Sequence, residues 1–160
     1  MHFTSFDSFI PGGATRNFRD FMGMPNVVLA SLEFTSLASV PSSSFDSYDS
    51  AFEAISAKDI LLYYPYHSFD YFTEWLRQAS FDPKVTAIYI NLYCVAKNSK
   101  VIGALADATR NGKKVSVVVE LHARFDEKNN VDLARQLQTI GARVEFGIPS
   151  LKVHSKLCVI

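Results

Sequence analysis

Val115-Ser116-Val117-Val118-Val119-Glu120-Leu121 is the most strand-like run in the chain. Its β-branched residues suit an extended backbone, and Val117, Val118 and Val119 are apolar on consecutive positions, which predicts a strand covered on both faces. Helical periodicity lies on either side of it. Upstream, Ser99 to Arg110 places Val101, Ile102, Leu105 and Ala108 on one side, and Asn111-Gly112 supplies a stop. Downstream, Asn130 to Ile140 uses Leu133, Ala134, Leu137 and Ile140, and Gly141 ends it. Further strands are expected at Ile60–Tyr64, Val85–Tyr93, Val144–Phe146 and Val153–Ile160. A short helix is expected at Ala51–Ala57, and a longer one capped by Ser68 and stopped by Asp82-Pro83, with Phe69, Phe72, Trp75, Leu76 and Ala79 on its apolar face. The resulting order, β-α-β-α-β-α-β-β, is that of the α/β class: a largely parallel sheet flanked by helices, with ligands at the carboxyl ends of the strands.

Composition limits the function. The 160 residues, 48% apolar and 20% charged, suffice for one globular domain. Sixteen basic and sixteen acidic side chains cancel, so no global field favours nucleic acid or an anionic membrane, and any phosphate site must be local. Residues 50–160 carry the regular pattern. Residues 1–49, broken by Pro11, Gly12-Gly13, Pro25, Pro41 and Ser42-Ser43-Ser44, read as an arm or linker from a preceding domain. Cys94 and Cys158 fall in expected buried strands and form neither a metal pattern nor a disulfide framework, so a reducing cytoplasm is the expected compartment. The amino terminus has no signal-peptide pattern, and no apolar run approaches the ~18 residues of a membrane span.

Chemistry concentrates in three places. Along an extended Val153–Ile160 segment Lys152, His154 and Lys156 would share a face, placing an imidazole between two ammonium groups that attract phosphate. The plain alternative is a solvated polar face. After the Val115 strand, Glu120, His122 and Arg124 would share a face if the strand persists that far, and Glu120 is the carboxylate available to fix the imidazole's tautomer. After the Val85 strand, the loop Tyr93 to Lys100 enters a helix whose free amides could meet an anion. There is no Walker loop and no His/Cys cluster at zinc spacing, and His67 reads as structural.

Together these residues resemble the polyphosphate kinase 1 family. The resemblance rests on Asp59 to Asp70, Asn111-Gly112-Lys113-Lys114-Val115, Val119 to Glu127, and Gly147 to Leu157, in that order over residues 50–160; Phe9 to Asn26 also looks like the link before this region in some members. It implies a phospholipase D-like catalytic domain, partial and incomplete at its C-terminus, within an ATP-dependent kinase that makes polyphosphate through a phosphohistidine. By motif, His154 matches the phosphorylated nucleophile and Lys156 completes the H-x-K pair, with Lys152 beside them for phosphate. Arg124 matches one of two family arginines associated with magnesium and phosphate; the second falls where this chain has Cys94, which cannot supply the charge-assisted bonds of a guanidinium. The resemblance further implies ATP, ADP, polyphosphate and Mg2+ as ligands, the remaining domains of the kinase as partners, a homo-oligomer, and a cytoplasmic setting with membrane association an alternative for the full-length protein. A phospholipase D-like phosphodiesterase and a degenerate, non-catalytic phosphate-binding domain are the competing readings, and the isolated chain is expected to be inactive.

Overall fold

Ile88, Ile90 and Leu92 alternate with Tyr89 and Asn91 along β1 (Ala87–Leu92), and the first three are buried. That period of two sets the sheet's inner face. On β2 (Lys114–Val119) the residues in register with them, Val115, Val117 and Val119, are buried too. The computed structural model describes Pro25 and residues 34–96, 98–123, 126–148 and 150–160. Its other elements are α1 (Ala51–Ala57), α2 (Asp70–Phe81), α3 (Lys100–Arg110), α4 (Glu127–Thr139), β3 (Arg143–Glu145) and β4 (Cys158–Val159).

The sheet order is β3-β2-β1-β4. β1, β2 and β3 run parallel, joined by the crossover helices α3 and α4, whereas β4 returns antiparallel along the other edge of β1. Leu76 and Ala79 of α2, Leu105 and Ala108 of α3, and Leu133 and Leu137 of α4 join the inner faces of β1 and β2 in one core. Truncating Leu105, which is wholly buried there, to alanine would cost ~2–5 kcal/mol. Val118 is only half-buried and Tyr89 is 44% exposed, so the expectation of a strand covered on both faces is corrected: these helices all join the core through the inner face.

Local sequence explains the boundaries. Ser50 caps α1 by accepting the Glu53 amide, and Ser99 caps α3 by accepting that of Val101. Ser68 Oγ accepts the Asp70 amide at the start of α2. At the far end of α3, Asn111 donates its side-chain amide to the Ser80 carbonyl, Gly112 takes φ +77°, and Lys113 Nζ donates to the carbonyls of Asp82 and Val85. The Asn111-Gly112-Lys113 motif is therefore structural here, pinning the amino end of the sheet.

Two expected strands are not as read. Ile60–Tyr64 remains outside the sheet, with Leu61 87% exposed, and the edge of β1 is taken by β4 instead. A turn closed by His67, whose Nδ1 accepts the Tyr63 amide at 2.8 Å, ends that run, which agrees with a structural His67. Within Val153–Ile160 only Cys158 and Val159 pair with β1. β1 ends at Leu92, so the residues before Leu157 have no strand beside them and cross the carboxyl end of the sheet instead. Leu37–Ile160 form one compact unit. The arm expected at 1–49 lies for its greater part outside the described residues, and among those described no helix is long and apolar enough to cross a membrane.

Candidate functional site

The candidate site lies just past the carboxyl ends of β1 and β2, where a parallel sheet presents its loops. Tyr93, the first residue after β1, meets three side chains of the final segment. Its ring stands edge-to-face to the His154 imidazole, with centroids 5.0 Å apart and planes at 74°. Lys156 Nζ lies 4.6 Å from the ring centroid and Lys152 Nζ 5.5 Å. The three residues that alternation places on one face thus converge without a paired strand between them, and all three are exposed.

Hydrogen bonds hold this segment in place. Glu120 is buried, 6% exposed, and its two carboxylate oxygens accept the backbone amides of His122 at 2.8 Å and Val153 at 2.7 Å. These bonds, the His122 amide first, hold its carboxyl below the usual range against the opposing effect of desolvation. Glu120 therefore fixes the backbone next to His154 and is not the carboxylate on its ring, which corrects the sequence expectation. Strand β2 stops at Val119, so Glu120 turns inward while His122 stays exposed, and the two do not share a face. Asn91 adds a second tie, its side-chain amide donating to Ser155 Oγ at 3.1 Å, and Lys156 Nζ donates to the His154 carbonyl at 2.6 Å.

Two contributors escape a sequence reading that looks for charge. One is Tyr93. The other is Asn130 of α4, wholly buried, whose side-chain amide donates to the carbonyls of Tyr93 and Glu120, both at 2.7 Å. A usable signal existed: Asn130 sits three and four residues before Leu133 and Ala134, on the helix's apolar stripe, where a polar amide must find partners.

Cys94, expected in a buried strand, is exposed in the loop after β1, and Cys158 in β4 is partly buried. Partial desolvation, then the hydrogen bond and charge of Asp126, push the Cys94 thiol up to about 11, against the opposing charge of Lys156. A protonated thiol thus stands beside Lys156, carrying no charge. Arg124 and Lys97 lie outside the described residues. The Ser99 hydroxyl already takes one amide at the start of α3, so the anion site expected there loses a donor. No group of three His, Cys, Asp or Glu side chains able to hold a metal occurs among the described residues, and both oxygens of Glu120 are engaged, so these residues do not fit a protein-built magnesium site. A cleft of about 550 Å3 opens beside the site, walled by Tyr64, Phe69, Phe72, Tyr93 and Lys156.

A histidine and two lysines thus gather around Tyr93 at the mouth of an α/β sheet. Residues 50–160 match the family model described as polyphosphate kinase C-terminal domain 1. The whole chain is 52% identical to the polyphosphate kinase of Vibrio cholerae serotype O1, and 157 residues, 97% of the chain, are 50% identical to that of Escherichia coli K12. The crystal structure of polyphosphate kinase from Porphyromonas gingivalis superposes with a TM-score of 0.72 at 37% identity, over 94% of this chain and 22% of that one. The chain belongs to the polyphosphate kinase family, and it spans 23% of the length of the two curated relatives named here.

Proposed function

We propose that this chain supplies the phosphohistidine of an ATP-dependent polyphosphate kinase. The observation that carries the reading is the convergence of Lys152, His154 and Lys156 on the ring of Tyr93. An imidazole nitrogen of neutral His154 attacks the terminal phosphorus of ATP; the N–P bond forms, the P–O bond breaks, and ADP leaves with the electron pair. A terminal oxygen of polyphosphate then attacks that phosphorus and the N–P bond breaks, returning His154. Lys152 and Lys156 attract the equatorial oxygens while charge accumulates on them. Tyr93 and Lys156 also wall the aromatic cleft, which leaves room beside them for a nucleotide. Arg124 is proposed as a further phosphate contact on the strength of the motif alone. Magnesium would enter with the nucleotide's phosphates. The remaining domains of the kinase, a homo-oligomeric assembly and a cytoplasmic setting belong to the same proposal.

A chimera tests it, with this chain replacing the matching 160 residues of the Vibrio cholerae relative. Incubation with γ-labelled ATP should give an acid-labile, alkali-stable phosphoprotein, with the label lost in His154→Ala. Hydrolysis of a phosphodiester such as bis-p-nitrophenyl phosphate without ATP, and no labelling, would instead make the protein a phosphodiesterase. The neutral Cys94 thiol favours one second reading, a non-catalytic phosphate-binding domain. That reading predicts tripolyphosphate binding with neither activity.

A further inference from the structure

Tyr93 and His154 touch through their rings, and the backbones that carry them are fastened to one buried pair. The Tyr93 carbonyl and the Glu120 carbonyl accept from the two hydrogens of the Asn130 amide, each at 2.7 Å. The Glu120 carboxylate in turn accepts the amide of Val153, the residue before His154. The circuit closes at the ring contact, 5.0 Å between centroids. Residues distant in the chain are thereby held in a fixed relation by groups that are themselves buried.

We propose that Tyr93 is a positioning residue for His154, and that its ring gathers Lys152, His154 and Lys156 into one preformed receptor for a chain of phosphates. An aromatic ring attracts cations over its face and accepts polarised C–H or N–H edges. Both ammonium groups lie within 5.5 Å of the Tyr93 centroid and Lys156 Nζ also donates to the His154 carbonyl, so two long exposed side chains that would otherwise sample many rotamers are held at the ring against which the imidazole packs before any anion arrives. Ordering them beforehand removes part of the entropy cost of binding. The hydroxyl of Tyr93 has no part in this, and phenylalanine would do as well. The proposal takes the identity of the reaction from the phosphohistidine reading, but its geometry does not depend on ATP.

The experiment uses the 160-residue chain labelled at its histidine rings, with His154 assigned by comparison with His154→Ala and inorganic tripolyphosphate as the probe. In the unsubstituted chain, cross-relaxation between the Tyr93 and His154 ring protons is expected, and its absence would overturn the proposal without any variant. Tyr93→Leu should remove the ring-current displacement of the His154 protons and raise the tripolyphosphate Kd about five- to tenfold, whereas Tyr93→Phe should keep both near the unsubstituted values. Methyl signals of Val117 and Leu105 report whether the core has survived. Unchanged His154 shifts in Tyr93→Leu, or a phenylalanine variant that behaves like leucine, would overturn it. In the chimera, kcat for labelling should fall in Tyr93→Leu and recover in Tyr93→Phe. Labelling that persists undiminished in Tyr93→Leu sinks this proposal and leaves the phosphohistidine intact; ring contacts without any labelling do the reverse.

Discussion

The carboxylate of Glu120 accepts the backbone amide of Val153 at 2.7 Å, and by that bond the end of β2 holds the segment carrying His154. A buried carboxylate spent on main-chain donors is a structural latch. It decides where the imidazole sits without touching it.

Removing the latch has a calculable cost. Glu120→Ala leaves the amides of His122 and Val153 without their acceptor, which costs ~1–3 kcal/mol for each that stays buried. Urea unfolding should show the loss, and hydrogen exchange should quicken at Val153 before it does in β1. Equal protection of Val153 in both proteins would contradict the latch.

The same group sets an acid limit. The folded carboxyl of Glu120 lies below its ordinary value of 4.5, so its stabilising contribution is complete above that pH and fades as pH falls through the folded pKa. Val153 exchange protection and the Tyr93–His154 contact should therefore weaken together in acid below 4.5, while the parallel core persists. Contacts that hold until global unfolding would refute this.

Asn130 offers a test at the other end of the circuit. Asn130→Ala leaves the carbonyls of Tyr93 and Glu120 without that donor and opens space in a buried site, for a loss of ~2–4 kcal/mol. Asn130→Asp should be worse, because a carboxylate would face two carbonyl oxygens. Thermal unfolding of the three proteins gives the order directly.

Cys94 should be a slow thiol in spite of its exposure. With its pKa near 11, it is protonated at neutral pH and alkylates slowly, accelerating as the solution approaches that value. Asp126→Asn removes a charge that raises the pKa, so iodoacetamide labelling followed by mass spectrometry should run faster in that variant. In the chimera, Cys94→Arg adds a fixed charge beside Lys156 and should raise labelling by about tenfold, on the order of a charge-assisted hydrogen bond.

Gly147 packs closely against Val153. It takes φ +45°, and a Cβ there would stand 2.9 Å from Val153 Cγ2. Gly147→Ala combines backbone strain of ~1–2 kcal/mol with pressure on the residue next to His154, so the His154 ring signals should move more than those of His67. Equal displacement of both would mean a global effect.

Much of this was legible in the residues themselves. The apolar stripes of α3 and α4, the valines of β2 and the stops at Asn111-Gly112 and Gly141 encode local periods, and local periods can be read one segment at a time. Ile60–Tyr64 misled because apolarity alone does not supply a strand partner: β1 pairs with β2 on one side and with the last segment on the other, and this run pairs with neither. Glu120 misled differently: a carboxylate near a histidine in sequence suggested a ring partner, while the fold aimed it at two amides.

The sequence alone determined the α/β alternation and the lysine–histidine–lysine spacing, because each depends on neighbours a few residues apart. Tertiary structure decided that these three side chains meet at Tyr93, through bonds spanning 37 residues from Asn130 to Tyr93 and 33 from Val153 to Glu120. No local period encodes such a meeting. It follows from β4 turning back along β1, which carries the final segment across the mouth of the sheet, and from a buried amide and carboxylate that must find partners there.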